Sequence, residues 1–327
     1  MRLGQNPAKA IDQVPQPERV TVAIVSYIPF LSGYYAESLQ VLQTCLNSLW
    51  ENTPRPYDLL IFDNASCAEV RDYLSQAHQQ GRIQYLVLSD RNVGKGGAWN
   101  FIFQGAPGEV IAYADSDVYF FPGWLEVSLK VLDTFPKTGM VSSRPLRTPE
   151  KFFTSTLEWT RQISDSGRTP DTADHATLEQ GQFMSWEVFK EHNDSLGVST
   201  ELAQEWFNSS HDWRIGYQDQ VVYAGAAHFQ FLAPKSVLQQ VVPFKMDRPM
   251  GQVRAIDQLL NDLGYLRLNT SQPYVKHLGN SLSSPLETTL QTDTKRSSLA
   301  RQLLDFSPVR RTLLRLYDKI FRWYYAR

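Results

Sequence analysis

Glu109-Val110-Ile111-Ala112-Tyr113-Ala114-Asp115-Ser116-Asp117 is the stretch on which the reading of this chain turns. Its first six residues predict a short buried strand, and two carboxylates follow one residue apart at the strand's C-terminal end. In open α/β sheets, ligands bind outside the carboxyl ends of the strands. Two carboxylates so placed can hold a hard divalent cation against a phosphate-bearing ligand. The triplet alone says little, because a chain of this length and acidity supplies about one by chance, so its surroundings carry the argument.

Those surroundings alternate strand and helix. Residues 20–26 form a β-branched apolar run that predicts a buried parallel strand. Apolar residues at helical spacing follow at Leu39, Leu42, Leu46, Leu49 and Trp50, until Asn52-Thr53-Pro54-Arg55-Pro56 breaks the helix. Residues 57–62 predict a second strand, 68–79 a helix, 83–88 a third strand and 97–104 a helix that precedes the quoted stretch. Such alternation implies βαβ units with right-handed crossovers around a parallel sheet. A helix is expected over 124–132. Beyond it, residues 145–220 are rich in Thr, Ser, Asp, Gln and Trp with weak periodicity. They predict an irregular insertion that shapes a pocket, with helices near 185–191 and 200–208. Regularity returns with a strand at 228–233, helices at 234–241 and 254–263 and a strand at 265–269.

Composition sets the class. The chain has 327 residues, 42% hydrophobic and 20% charged, which describes an ordinary globular protein. Its two cysteines, Cys45 and Cys67, exclude a disulfide framework and a four-cysteine zinc site. Residues 1–19 are polar and proline-rich, so no signal peptide is expected, and no run of 18 apolar residues predicts a membrane span. A cytoplasmic location follows as the expectation. The net charge of −2 hides an asymmetry: nine Lys/Arg against two Asp lie between Lys295 and Arg327. A basic tail on an acidic body invites a partner.

Three loops after the first three strands carry polar residues toward the Asp115 end. Ser26-Tyr27 follows the first strand, Asp63-Asn64-Ala65-Ser66 the second, and Asp90-Arg91-Asn92-Val93-Gly94-Lys95-Gly96-Gly97 the third. Glycines without a Cβ let backbone approach a ligand closely, and Arg91 and Lys95 stand beside that backbone. A diphosphate is the natural guest, with a solvated glycine turn as the plain alternative. The loop is neither a GxxxxGK[ST] phosphate loop nor a GxGxxG dinucleotide fingerprint. HExxH, a nucleophile elbow and a Ser/His/Asp ordering are all missing, so hydrolase chemistry has no support.

In their order and spacing, these four motifs resemble the family 2 glycosyltransferases, over residues 18–135 and more loosely over 225–282. The resemblance implies a GT-A fold, an α/β, Rossmann-like, mostly parallel sheet flanked by helices, here with an irregular acceptor-side insertion and a C-terminal helical tail. It divides the chain into a flexible segment (1–17), a nucleotide-sugar half (18–140), an acceptor and catalytic half (141–282) and a basic amphipathic tail (283–327). The activity implied is transfer of a sugar, with inversion, from a nucleotide donor to a hydroxyl on a glycan or lipid-linked glycan. The donor would meet Ser26, Tyr27, Asp63, Asn64, Arg91, Asn92, Gly94, Lys95, Gly96, Asp115 and Ser116. Asp63 would accept a hydrogen bond from the nucleobase, although a turn former bonded to its own backbone reads the same way. Asp117, with Asp115 and His277, would ligate Mg²⁺ or Mn²⁺ at the diphosphate; a helix N-cap is the alternative for Asp117.

Inversion requires a base for the acceptor hydroxyl. In the family an acidic pair precedes a helix ending in Gly-Tyr, and Ile256-Asp257-Gln258-Leu259-Leu260-Asn261-Asp262-Leu263-Gly264-Tyr265 fits that frame with one acid missing and a short spacing. Asp257 is the expected base, with Asp262, Asp247 and Asp219 behind it and a solvated helix residue as the alternative. His277, in Val275-Lys276-His277-Leu278-Gly279-Asn280-Ser281, resembles the family's late histidine. The tail from Ser298 to Arg327 interleaves Leu313, Leu316, Ile320, Trp323 and Tyr324 with basic residues. That pattern suits an anionic membrane surface or a helix packed on the body, and nucleic acid is not expected. Two other readings stay open: a non-catalytic carbohydrate-binding or scaffold protein on the same fold, and a nucleotidyltransferase, which wants a glycine-rich loop after the first strand.

Overall fold

Residues 4–165, 175–247 and 254–282 are described by the structure, a computed structural model. The expected alternation runs through its first half as β1 (Val20–Ser26), α1 (Ser38–Asn52), β2 (Asp58–Asn64), α2 (Ala68–Gln79), β3 (Tyr85–Ser89), α3 (Gly94–Gly105) and β4 (Val110–Asp115). A short β5 (Val118–Phe120), α4 (Trp124–Thr134) and β6 (Thr138–Ser142) follow. The remainder comprises α5 (Thr154–Asp165), β7 (Ala176–Gly181), α6 (Trp186–Ser195), α7 (Thr200–Ser209), β8 (Asp212–Tyr217), β9 (Gln220–Ala224), β10 (Gln230–Pro234), α8 (Lys235–Leu238), α9 (Arg254–Asp262), β11 (Leu266–Thr270) and β12 (Val275–His277).

Ten strands form one sheet in the order β3-β2-β1-β4-β10-β6-β11-β9-β8-β7, and β12 pairs with β5 apart from it. β1 is parallel to both β2 and β4, and β2 to β3. β10 is antiparallel to β4 and to β6, which turns β6 and its parallel neighbour β11 back to the direction of the first four. Most strands therefore point one way, as the α/β reading expects. β1 and β4 are buried on both faces: Val22, Ile24, Ala112 and Ala114 pack toward α1, α2 and α4, while Ala23, Ile111 and Tyr113 pack toward α3, α8 and α9. Their continuous apolar runs reflect this double covering.

The described residues of the segment 145–220 are not irregular. They hold two helices near the places expected, another helix in α5, and the antiparallel β7-β8-β9 ladder that extends the sheet. Strands at that end mix burial classes without strict alternation, and polar residues such as Asp212 take buried positions, so no apolar period marks them. The glycine-rich stretch is likewise not a free loop. Gly94 to Gly97 form the first turn of α3, and Gly94 takes the left-handed φ of +72° that a side chain disfavours. Asp63 and Asn64 end β2 rather than follow it. The basic stretch 298–327 lies outside the described residues.

Candidate active site

The carboxyl ends of β1, β2 and β4 lie side by side, with Ser26 in register with Asp63 and Val25 with Asp115. Ser26 is fully buried and its Oγ has no partner. Asp63 is also fully buried. Its Oδ2 accepts from Arg71 Nε at 3.1 Å and from the Ser66 backbone N–H at 3.2 Å, while Oδ1 is buried without a partner. A carboxylate anchored through one oxygen with the other left unpaired is preset to receive an N–H, because an unsatisfied buried acceptor costs free energy. Arg71 also donates to the Ser89 carbonyl, tying β3 to this anchor.

Asn64 and Asn92 brace the start of α3. Asn64 Nδ2 donates to Asn92 Oδ1 at 2.9 Å, and the backbone N–H groups of Val93 and Gly94 donate to Asn64 Oδ1 and Asn92 Oδ1, both at 2.8 Å. Gly96 and Gly97 are buried in the same turn. Lys95 reaches from it to Asp115, with Nζ 2.6 Å from Oδ1 and 2.7 Å from Oδ2. The Tyr113 hydroxyl donates to Asp115 Oδ1 at 2.5 Å. Burial first, then the charge of Asp115, pushes the Tyr113 hydroxyl well above its ordinary pKa, so it stays protonated as that donor. Arg91 is exposed, with its backbone bound to Ser89 Oγ, and Tyr27 sets its ring 6.2 Å from that of Tyr35. Ser116 is part-buried.

Asp117 and His277 meet because β12 pairs antiparallel with β5, placing His277 opposite Val118. Nε2 of His277 stands 3.3 Å from Asp117 Oδ2 and its Nδ1 lies 3.0 Å from Ser195 Oγ. Burial disfavours the imidazolium of His277, but the hydrogen bond and charge of Asp117, aided by Asp115, outweigh it and raise its pKa. The other oxygen of Asp117, Oδ1, is buried without a partner. The His277 ring stands edge-on to Phe229, 5.5 Å away, and 6.0 Å from the His192 ring. His192 is driven the other way, to a pKa of about 3, by burial and then by the Arg144 and His277 charges.

The pair that could hold a divalent cation is therefore Asp117 with His277. Asp115, expected as a third ligand, has its carboxylate occupied by Lys95 and Tyr113, and no group of three His, Cys, Asp or Glu among the described residues is arranged to hold a metal. The orphaned Asp117 Oδ1 beside an imidazole still fits Mg²⁺ or Mn²⁺, since Mg²⁺ in particular is held by one or two carboxylates and completed by substrate phosphates and water.

Asp257 lies elsewhere than its expected role implies. It is 5% exposed, with Oδ1 2.5 Å from Arg267 Nη2 and Oδ2 3.4 Å from His228 Nδ1. Its carboxylate thus faces the Arg267 guanidinium and the His228 ring. Among the alternatives, Asp219 is exposed and paired with Lys130 at 2.5 Å, Asp262 accepts from Gln258 at 2.6 Å, and Asp247 is exposed. Sequence reasoning did not single out Arg71, Tyr113, Ser195, His192 or His228. Only Arg71 carries a signal a reader could use, one helical turn into α2 behind Asp63.

Beside the His277 cluster opens a cavity of about 440 Å³, lined by Leu146, Met184, Val188, Phe189, Trp206 and His192 among others. Its wall is the 145–220 segment, held by Arg147, whose guanidinium is buried against Asp212 at 2.7 Å. No helix among the described residues is long and apolar enough to cross a membrane.

Residues 33–190 match the family described as Glycosyl transferase family 2. An uncharacterized glycosyltransferase of Nostoc sp. (strain PCC 7120) is 30% identical over 100 residues, covering 31% of this chain and 31% of that protein. One from Rickettsia bellii is 27% identical over 131 residues, covering 40% of this chain and 17% of that protein. The chain thus spans about a third of the first relative and about a sixth of the second. Among solved structures, the mannosyltransferase PcManGT from Pyrobaculum calidifontis, in complex with GDP-Man and Mn²⁺, aligns with TM-score 0.45 at 16% identity over 80% of this chain and 57% of that one. GalNAc-T7 with UDP, GalNAc and Mn²⁺ aligns with TM-score 0.48 at 14% identity over 79% and 43%. The sequence matches agree on one enzyme class, glycosyltransferase.

Proposed function

We propose, from the family 2 match over residues 33–190 and the sheet edge it encloses, that this chain is a GT-A-type glycosyltransferase that moves a sugar from a nucleoside-diphosphate donor to a hydroxyl acceptor with inversion. One observation carries this reading: the unpaired, buried Ser26 Oγ, Asp63 Oδ1 and Asp117 Oδ1 all stand at the carboxyl ends of the central strands or just beyond them. Buried polar atoms are normally satisfied, and a cluster of exceptions calls for a ligand. Asp63, fixed by Arg71, takes an N–H of the nucleobase. The first turn of α3, braced by Asn64 and Asn92, presents backbone and Lys95 to the diphosphate. Tyr27, Arg91 and Ser116 border the same edge and are assigned to the donor.

Asp117 and His277 are the residues that would hold Mg²⁺ or Mn²⁺, which supplies Lewis-acid neutralisation of the diphosphate charge. Lys95 adds positive charge from the protein itself, and its pairing with Asp115 keeps it at that spot. The acceptor enters from the cavity walled by the 145–220 segment, whose apolar lining suits a glycan carried on an apolar group. Transfer with inversion is one displacement, and we assign acceptance of the hydroxyl proton to the unit built around Asp257. Contact of the basic stretch 298–327 with an anionic membrane belongs to the same proposal and is tested by co-sedimentation with phosphatidylserine vesicles.

A second reading, a carbohydrate-binding protein without transfer activity, draws support from the Lys95–Asp115 pair standing where a metal ligand was expected. Nucleotide calorimetry addresses the site directly. UDP or GDP is expected to bind more tightly with Mn²⁺ than without, and Asp63→Ala to weaken binding of the preferred nucleotide by at least about tenfold. Binding that Asp63→Ala leaves unchanged would remove Asp63 from the nucleobase site.

A further inference from the structure

We infer that His228 is the side chain that takes the acceptor proton and that Asp257 is its positioning residue. The inference rests on the glycosyltransferase reading and goes beyond it, because neither the motif resemblance nor the matches single out His228. β10 is antiparallel to β4 with Gln230 opposite Ala114, and the next bond of that ladder runs from the Asp115 backbone N–H to the Phe229 carbonyl at 2.8 Å. His228 therefore directly precedes the residue bonded to the first aspartate of the Asp115-Ser116-Asp117 triplet. Phe229 packs against His277. The residue before it is therefore one step from the donor site's metal-binding corner.

The bend at residues 228 and 229 sends the two side chains to different neighbours. Phe229 joins His192 and His277, while His228 turns to Asp257 on α9. Nδ1 of His228 is buried, 3.4 Å from Asp257 Oδ2, and makes no hydrogen bond of its own. The side chain is nonetheless 31% exposed, so the ring is open on a side away from that buried nitrogen. Asp257 is in turn locked by Arg267, which also donates to the Phe152 carbonyl at 2.7 Å and the Ala226 carbonyl at 2.5 Å. Asp257 of α9 is the charged group recorded against His228, with Arg267 of β11 behind it on the other carboxylate oxygen. A carboxylate behind one imidazole nitrogen fixes that nitrogen as the protonated one and leaves the other free to accept, the division of labour of carboxylate–histidine bases. Asp257, enclosed as it is, supplies orientation and charge rather than contact with the acceptor.

In the step that follows, the acceptor oxygen forms a bond to the anomeric carbon while its proton passes to His228 Nε2. The bond from the anomeric carbon to the diphosphate oxygen breaks, and its electron pair leaves with the nucleoside diphosphate. His228, now an imidazolium held by Asp257, returns the proton to solvent.

The test uses the full chain with a panel of UDP- and GDP-sugars, water serving as acceptor, and reads nucleoside diphosphate release together with calorimetric binding of UDP and GDP. His228→Gln is expected to lower kcat by at least about 100-fold with nucleotide Kd within about twofold of wild type. Added imidazole is expected to restore part of the turnover of His228→Gly, which a purely structural role would not allow. Asp257→Asn is expected to lower kcat and to displace the acid limb of the pH profile, a limb that His228→Gln abolishes. Turnover of His228→Gln within about threefold of wild type, or an acid limb that survives in it, would overturn the inference and leave the glycosyltransferase reading standing. A wild-type chain that binds neither nucleotide and releases no diphosphate would overturn both.

Discussion

His192 shows how a single side chain reports on the site. Its Nδ1 is buried without a partner and its ring stacks 5.5 Å from Phe229, so its pKa falls to about 3. The unfolded chain protonates this group near its ordinary value of about 6.5 and therefore binds more protons than the folded chain between the two values. The stability it contributes is complete above about pH 6.5 and is lost as pH falls toward 3. Relative to wild type, His192→Phe is expected to remove on the order of 2 kcal/mol of destabilisation at pH 5, read as a smaller shift of the urea midpoint between pH 7 and pH 5. Equal shifts in both proteins would contradict the assignment. Asp63 and Asp117 were legible in the sequence because motif order marks them, and the structure adds the orphaned oxygens that give the marking a physical meaning. Asp257 was legible only as a carboxylate in a frame; its partner Arg267 stands ten residues later and its partner His228 twenty-nine earlier, so no local pattern announced either.

At the scale of elements, α3 does most to form the proposed donor site. Read as sequence, Gly94-Lys95-Gly96-Gly97 resembles a loop, since glycine disfavours helix interiors. Asn92 caps that turn locally, but Asn64 braces it from the end of β2, which a local reading does not see. Gly97 in particular has no room for a side chain: a Cβ there would sit 2.8 Å from Met246 Sδ and 2.9 Å from Val93 Cβ. Met246 can swing aside, but Val93 belongs to the turn itself and moves only with it. Gly97→Ala is therefore expected to cost about 1–3 kcal/mol of stability and to weaken nucleoside diphosphate binding by about tenfold, measured by calorimetry on the folded variant. Unchanged affinity would separate the turn from the diphosphate site.

Across the whole molecule, the first half was readable because β1, β2 and β4 are buried and its strands alternate with amphipathic helices. The other half was not, because β7, β8 and β9 form a half-covered antiparallel ladder whose polar residues mask any period. Yet that half matters to the site as a whole: β12 carries His277 to Asp117, Phe229 just ahead of β10 bonds Asp115 and follows His228, and residues within 145–149 and 184–210 line the cavity. The sheet edge at which these converge is the account's central claim, and nucleoside diphosphate release from a panel of UDP- and GDP-sugars tests it most directly. Release by the wild-type chain, dependent on Mg²⁺ or Mn²⁺ and reduced at least about 100-fold in Asp117→Ala, is the expected result. Release that is undiminished in Asp117→Ala, or no release from any donor with either metal, would contradict it.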